Sequence, residues 1–70
     1  MKKNVFGFVI VTPDNEIMGS TFRTTKLSCV EQFEISFNST LEGGYIYWKD
    51  LVGDGYKVKA ATMVVTLTQD

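Results

Sequence analysis

The chain contains no histidine, the side chain that serves most often as a general base and as a metal ligand. Its single cysteine, Cys29, cannot form a disulfide within the chain and has no second cysteine with which to hold zinc. Asp14, Asn15 and Glu16 lie together but lack the ligand spacing of a calcium loop. We therefore expect a non-enzymatic protein that uses no metal or other cofactor and resides in the reducing cytoplasm.

A long hydrophobic run is also missing. The apolar stretch Val5–Val11 is far shorter than the roughly 20 residues that cross a membrane. Pro13 and Asp14 follow it where a signal peptide would have a cleavage site of small residues. The sequence thus predicts no contact with a membrane and a single small domain over residues 1–70.

Neither sign of charge is in excess. Seven Lys and Arg oppose eight Asp and Glu, and the formal net charge is −1. This balance gives no basic field for the phosphates of a nucleic acid. From this charge balance we do not expect the protein to bind nucleic acid.

Two strands are predicted at the start of the chain. Val5–Val11 is β-branched and aromatic and is apolar at both phases of the alternation, which is typical of a central strand. Thr12–Asn15 has the residues of a tight turn, and Ile17–Arg23 has the composition of a second strand. Gly19 and Ser20 weaken that strand and predict an edge position or a bulge. The two strands are expected to form a hairpin.

The segment 27–52 carries the dominant pattern. At 100° per residue, its large apolar side chains fall within a sector about 120° wide, which predicts a helix with one buried face. The helix should begin between Thr24 and Ser28, where Ser28 and Glu31 match a capping box. Gly43-Gly44 predicts a kink or a break within this one long helix. The residues of the stripe are Leu27, Val30, Phe33, Phe37, Leu41, Tyr45, Trp48, Leu51 and Val52.

A strand is the alternative for part of this segment. Phe33–Asn38 alternates strictly between apolar and polar residues, as a half-buried strand would. The helix is the preferred interpretation because a strand here would leave Leu41, Tyr45 and Trp48 without a shared face.

A third strand completes the predicted fold. Gly53-Asp54-Gly55 supplies the glycine common just past a helix end, and Tyr56–Thr68 then alternates as a strand. The element order β-β-α-β predicts an α+β fold, with a three-stranded antiparallel sheet in the order 2-1-3 and the helix packed on one face. The other face then has no cover. Because the first and last strands are apolar on both sides, an apolar surface should remain there.

A protein partner is expected to use this uncovered sheet face or the outer side of the helix. Ile35 and Ile46 stand alone among acidic residues on that outer side, and Tyr47, Tyr56 and Lys57 crowd near the helix end. Tyr and Trp are enriched where proteins bind one another. These five residues are the predicted contacts with a partner. The same aromatics and lysines could instead stack the bases and hold the phosphates of a single-stranded nucleic acid.

The order of the predicted elements and the sequence at their ends also suggest a role. It opens Met1-Lys2-Lys3-Asn4 with strand, turn and strand, then has an aromatic-rich helical region followed by Gly55-Tyr56-Lys57-Val58. In this it resembles the small accessory, host-takeover proteins of large tailed bacteriophages. The resemblance implies that the protein binds a host enzyme or defence protein and inhibits or redirects it. It implies no particular site residues.

Three functional hypotheses follow in order. The first is a non-enzymatic protein-binding module that occludes a partner's site. The second is a self-assembling structural homo-oligomer, the simplest form of which is a homodimer joined back to back through the uncovered sheet face. The third is a binder of single-stranded nucleic acid.

Overall fold

A computed structural model describes residues 1–39 and 41–66 of the chain. The three strands form one antiparallel sheet in the order β2-β1-β3, and the helices pack on one of its faces. The predicted α+β class, strand order and central first strand are confirmed. The elements are β1 (Lys2–Val11), β2 (Ile17–Arg23), α1 (Lys26–Asn38), α2 (Trp48–Gly53) and β3 (Lys57–Thr66).

The two neighbours of β1 cover it to different extents. β3 pairs with it along its whole length, from Lys2 opposite Thr66 to Val11 opposite Lys57. β2 pairs only with the stretch from Phe8 to Val11. The first part of β1 and the last part of β3 therefore form a two-stranded extension. Of the predicted third strand, residues 67 and 68 lie outside the described residues.

The predicted irregularity in β2 is present as a bulge. Phe8 pairs with Arg23, whereas Ile10 pairs with Met18, so β2 has more residues than β1 over this stretch. The side chain of Thr21 takes the place of the missing backbone partner. The Ile10 N–H donates to Thr21 Oγ1 at 2.8 Å, and the Thr21 hydroxyl donates to the Met18 carbonyl at 2.6 Å.

Helix α1 begins within the predicted interval, but the predicted capping box is wrong. Thr25 is the N-cap, with an extended backbone, and its hydroxyl accepts the Ser28 N–H at 3.2 Å. Ser28 already lies in the first turn and cannot cap the helix itself. Thr25 can cap the helix because it lies in the bend between β2 and α1 and threonine is among the residues favoured at this position.

The predicted interruption of the helix is present, but α1 already ends at Asn38, before Gly43-Gly44, and α2 begins only at Trp48, so a single long helix is not formed. The Asn38 side-chain amide donates to the carbonyls of Glu34 and Ile46, at 2.8 Å each, and accepts the Ile46 N–H at 2.8 Å. These bonds hold the non-helical backbone at Ile46 beside the end of α1. The alternative of a strand over 33–38 is also excluded, since these residues are helical.

The end of α2 agrees with the prediction of a glycine just past a helix. Gly55 has φ +107°, a left-handed conformation that favours glycine. Its N–H donates to the Val52 carbonyl at 3.0 Å and the Tyr56 N–H donates to the Leu51 carbonyl at 3.0 Å, which is the Schellman pattern. This turn leads directly into β3.

The core lies between the sheet and the two helices. Its buried members are Ile10, Cys29, Phe33 and Leu51. Phe33 also contacts the rings of Phe37 and Trp48, with centroids 5.9 Å and 6.2 Å away. The predicted stripe is thus correct for Phe33 and Phe37 on α1 and for Trp48 and Leu51 on α2.

Four residues of the predicted stripe are exposed. Leu27 is 67% exposed because α1 turns Cys29 and Phe33 toward the sheet, and Leu27 lies about 140° around the helix from their midline. Leu41 and Tyr45 are exposed because their segment is not helical. Val52 is exposed on α2. The expectation that these four residues are buried is wrong.

Candidate functional site

The sheet face opposite the helices is open, as the sequence predicts. Phe8 and Ile10 of β1 face the helices, so Val9 and Val11 point to the other side. This open face contains a shallow groove of about 540 Å³. Its side chains come from all three strands: Val9, Val11, Ile17, Phe22, Lys59, Ala61 and Met63 line it.

The open face has a closed floor and exposed rims. Val9 at the floor is only 6% exposed, whereas Ile17 on β2 is 72% exposed and Met63 on β3 is 39% exposed. Phe22 lies over Gly7, where an added Cβ would sit 2.7 Å from Phe22 Cζ and would also meet the Arg23 carbonyl oxygen. The ring can approach the strand this closely only because residue 7 is glycine. The result is a groove with aliphatic rims and one aromatic wall.

A second apolar surface lies on the extension of β1 and β3 beyond β2. Phe6 is 74% exposed and Val64 is 59% exposed, although both lie on the helix side of the sheet. Helix α1 stops short of them, since its packing is centred on Ile10. We call residues 2–6 of β1 and 62–66 of β3 the arm.

Two of the predicted partner contacts are isoleucines. Ile35 lies on α1 and is 56% exposed, as expected for the outer side of the helix. Ile46 was expected on the same side and is not there. It lies between the helices and packs against the core, because Asn38 bonds both its N–H and its carbonyl.

Tyr47 belongs to an exposed aromatic cluster at the start of α2. Its ring lies 5.0 Å from that of Tyr45. Glu34 accepts hydrogen bonds from the Tyr45 hydroxyl at 2.9 Å and from the backbone N–H of Trp48 at 2.7 Å, and Asp50 accepts one from the backbone N–H of Tyr47 at 3.3 Å. The hydrogen bond to Glu34 raises the pKa of Tyr45. Carboxylates therefore organise this cluster.

Tyr56 and Lys57 are neighbours in sequence but lie in different environments. Tyr56 is half-buried, with its ring 5.5 Å from Phe33 and 6.1 Å from Phe37. Lys57 is exposed and, opposite Val11, lies on the open face. The five predicted contacts are thus distributed over α1, the core, the start of α2 and the open face, and do not form one surface.

Ile17 and Phe22 belong to the open face, although the sequence pattern does not predict this. Phe22 is five positions after Ile17, an odd separation, so regular alternation would put the two side chains on opposite faces. The bulge around Thr21 puts both on the open face instead. Gly19 and Ser20 signalled a bulge, but not its size or its effect on Phe22.

The one cysteine is poorly placed for chemistry. Cys29 is fully buried, and its thiol donates to the Thr21 carbonyl at 3.3 Å. Burial raises the pKa of Cys29, so the thiolate is disfavoured at neutral pH. Over the described ranges 1–39 and 41–66, no group of three or more His, Cys, Asp or Glu side chains is arranged to hold a metal ion. In the same ranges, no helix has the length and apolarity needed to span a membrane.

Comparisons of the chain with protein-family models, with curated proteins and with solved structures found no match.

Proposed function

We propose that this protein is a non-enzymatic binding module that docks through its open face on a partner protein and occludes a site on that partner. One observation carries the proposal: an apolar groove built from all three strands is left uncovered by the two helices. Exposed apolar surfaces of this kind mark sites of protein interaction. The role implied by the resemblance to phage accessory proteins makes a host enzyme or defence protein the partner.

The aromatic cluster at Tyr45 and Tyr47 supports a nucleic-acid function less well. Glu34 and Asp50 lie within it and bond its side chains and backbone. These carboxylates would repel the phosphates of a strand stacked on the rings. Protein binding is therefore the better supported function.

Self-assembly is the second candidate, and the arm favours it. Beyond β2, residues 2–6 of β1 have a strand partner on one side only in the described part of the chain. Unpaired strand edges are templates for pairing with another chain. Sedimentation at micromolar concentration measures this candidate, and a strict monomer would exclude it.

The leading proposal is tested by capture from bacterial lysate with matched isoleucine variants. Immobilised wild type, Ile17→Asp and Ile35→Asp are incubated with nuclease-treated lysate, and the bound proteins are quantified by mass spectrometry. Both isoleucines are mainly exposed, so thermal melts should show that both variants fold. We expect one stoichiometric protein with wild type and Ile35→Asp, and its loss with Ile17→Asp.

Two outcomes would contradict this use of the open face. Loss of the captured protein with Ile35→Asp alone would place the contact on the outer side of α1. Recovery of the bait alone from every lysate tested would remove support for the binding module and favour self-assembly.

A further inference from the structure

Charge in this protein is divided between the sheet and the rest of the chain. The three strands contain Lys2, Lys3, Arg23, Lys57 and Lys59 and no Asp or Glu. The carboxylates of the described residues lie in the turns and in the helical layer. A net charge of −1 therefore conceals a cationic sheet.

Three of these lysines lie on the open face. Lys59 lines the groove, and strand alternation puts Lys57 on the same side of β3. Lys3, opposite Val65, lies on that side at the far end of the sheet. The apolar groove thus has ammonium groups toward both of its ends. The nearest carboxylates in sequence, Asp14, Glu16 and Asp54, lie in the turns before β2 and β3.

This arrangement disfavours a second copy stacked face to face. Where a two-fold contact aligns the strands of two open faces, the lysines at the ends of one groove come near those of the other copy. Like charges brought together over an apolar patch repel and also lose water. A complementary occupant has apolar side chains for the groove and carboxylates for its ends.

The width of the face indicates the kind of element. Three strands spaced about 4.8 Å apart make a face about as wide as an α-helix, whose diameter is about 10–12 Å. The same sheet already accepts α1 on its other face, through Cys29 and Phe33. Among the described residues, Phe22 is the single aromatic ring that lines the groove, so stacking of successive bases has little support there.

We propose that the open face binds an acidic amphipathic helix of a partner protein, with its apolar stripe in the groove and its carboxylates beside Lys57, Lys59 and Lys3. The inference rests on the proposed function and specifies the chemistry of the partner. Salt should weaken the contact without abolishing it, because the apolar part is not screened.

Fluorescence anisotropy with defined probes tests this proposal. The probe is a labelled helical peptide with Leu on one face and Glu elsewhere, compared with the same peptide carrying Lys in place of Glu. Wild type should bind the acidic peptide at least about tenfold more tightly than the basic one. Lys57→Glu/Lys59→Glu should remove this preference, whereas Lys26→Glu/Lys49→Glu, with the same charge change on the helices, should keep it.

Three results would overturn the proposal: equal affinity for both peptides, tighter binding of a single-stranded oligonucleotide than of the acidic peptide, or a homodimer of the free chain that Ile17→Asp dissociates. The capture experiment separates its failure from that of the proposed function. A partner retained by Lys57→Glu/Lys59→Glu but lost with Ile17→Asp would leave the binding module in place and exclude the acidic helix.

Discussion

At the scale of single residues, Asn38 decides where the helical pattern stops. Its side chain satisfies the N–H and carbonyl of Ile46 as well as the Glu34 carbonyl. The sequence pattern does not predict that the helix ends at Asn38, because an asparagine on a helix surface is equally compatible with continuation of the helix. The loop between the helices therefore depends on one amide.

Asn38→Ala should lower the free energy of unfolding by about 1–3 kcal/mol, because it leaves the partly buried backbone groups of Ile46 unpaired. The measurement is urea unfolding followed by circular dichroism. Ser39→Ala is the control, since its exposed hydroxyl bonds only the Ser36 carbonyl and its loss should cost less than about 0.5 kcal/mol. Equal costs for the two variants would show that Asn38 does not hold the loop.

At the scale of elements, the sequence predicts strands better than it predicts the buried side of the helices. The strand β2 has the predicted bounds, β1 contains all of the predicted Val5–Val11 and begins earlier, at Lys2, and β3 contains most of its predicted residues. Successive side chains of a strand point to opposite faces of the sheet, so the polarity of each residue indicates directly whether its face is covered. Leu41 and Tyr45 fit the helical period of the other stripe residues on 27–52, and the sequence therefore predicts them on the buried face. A spacing that fits the helical period does not by itself show that the backbone is helical.

The sequence likewise predicts the presence of the candidate site but not all of the residues that form it. An uncovered apolar sheet face follows from the number and order of the elements, and it is present. Ile17 and Phe22 both lie on the open face because of the bulge in β2. The hydrogen bond from the Thr21 hydroxyl to the Met18 carbonyl lies within this bulge. Of the predicted contacts, Ile46 is half-buried because of its bonds to Asn38.

The contact between β1 and β2 can be tested through two glycines. Gly7→Ala should destabilise the fold by about 1–3 kcal/mol, because its Cβ would meet the Phe22 ring and the Arg23 backbone, which cannot both give way. Gly19→Ala should be neutral or slightly stabilising, since among the described residues no atom beyond its chain neighbours lies within 4 Å of the added Cβ. Chemical denaturation of the two variants measures the difference. Equal stabilities would mean that Phe22 does not lie over Gly7.

At the scale of the whole molecule, the fold is a small packed half joined to an uncovered extension. The dimensions are 46 × 23 × 20 Å, and the buried core is confined to the end of the sheet that α1 and α2 cover. Both apolar surfaces, the open face and the arm, are built on strands that this core stabilises. A change in the core should therefore affect binding only through the stability of the sheet.

Cys29 allows that core to be probed by pH. Its thiol is buried between α1 and the sheet, and burial raises its pKa in the folded state. The unfolded chain has an ordinary thiol pKa of about 8.5, so above that pH the unfolded state binds fewer protons than the folded state. The stabilising effect of the neutral thiol is fully present below this pH and is lost as the pH rises through the folded pKa.

The free energy of unfolding should accordingly fall as the pH rises above about 8.5, and that of Cys29→Ala should fall less steeply. Urea unfolding at a series of pH values measures both slopes under reducing conditions. Tyr45→Phe is the necessary control, because the pKa of Tyr45 is also raised, by its bond to Glu34, and its ionisation adds to the loss at the alkaline end. Parallel slopes for wild type and Cys29→Ala would show that the thiol is accessible to water in the native protein, and the core would then be looser than its packing indicates.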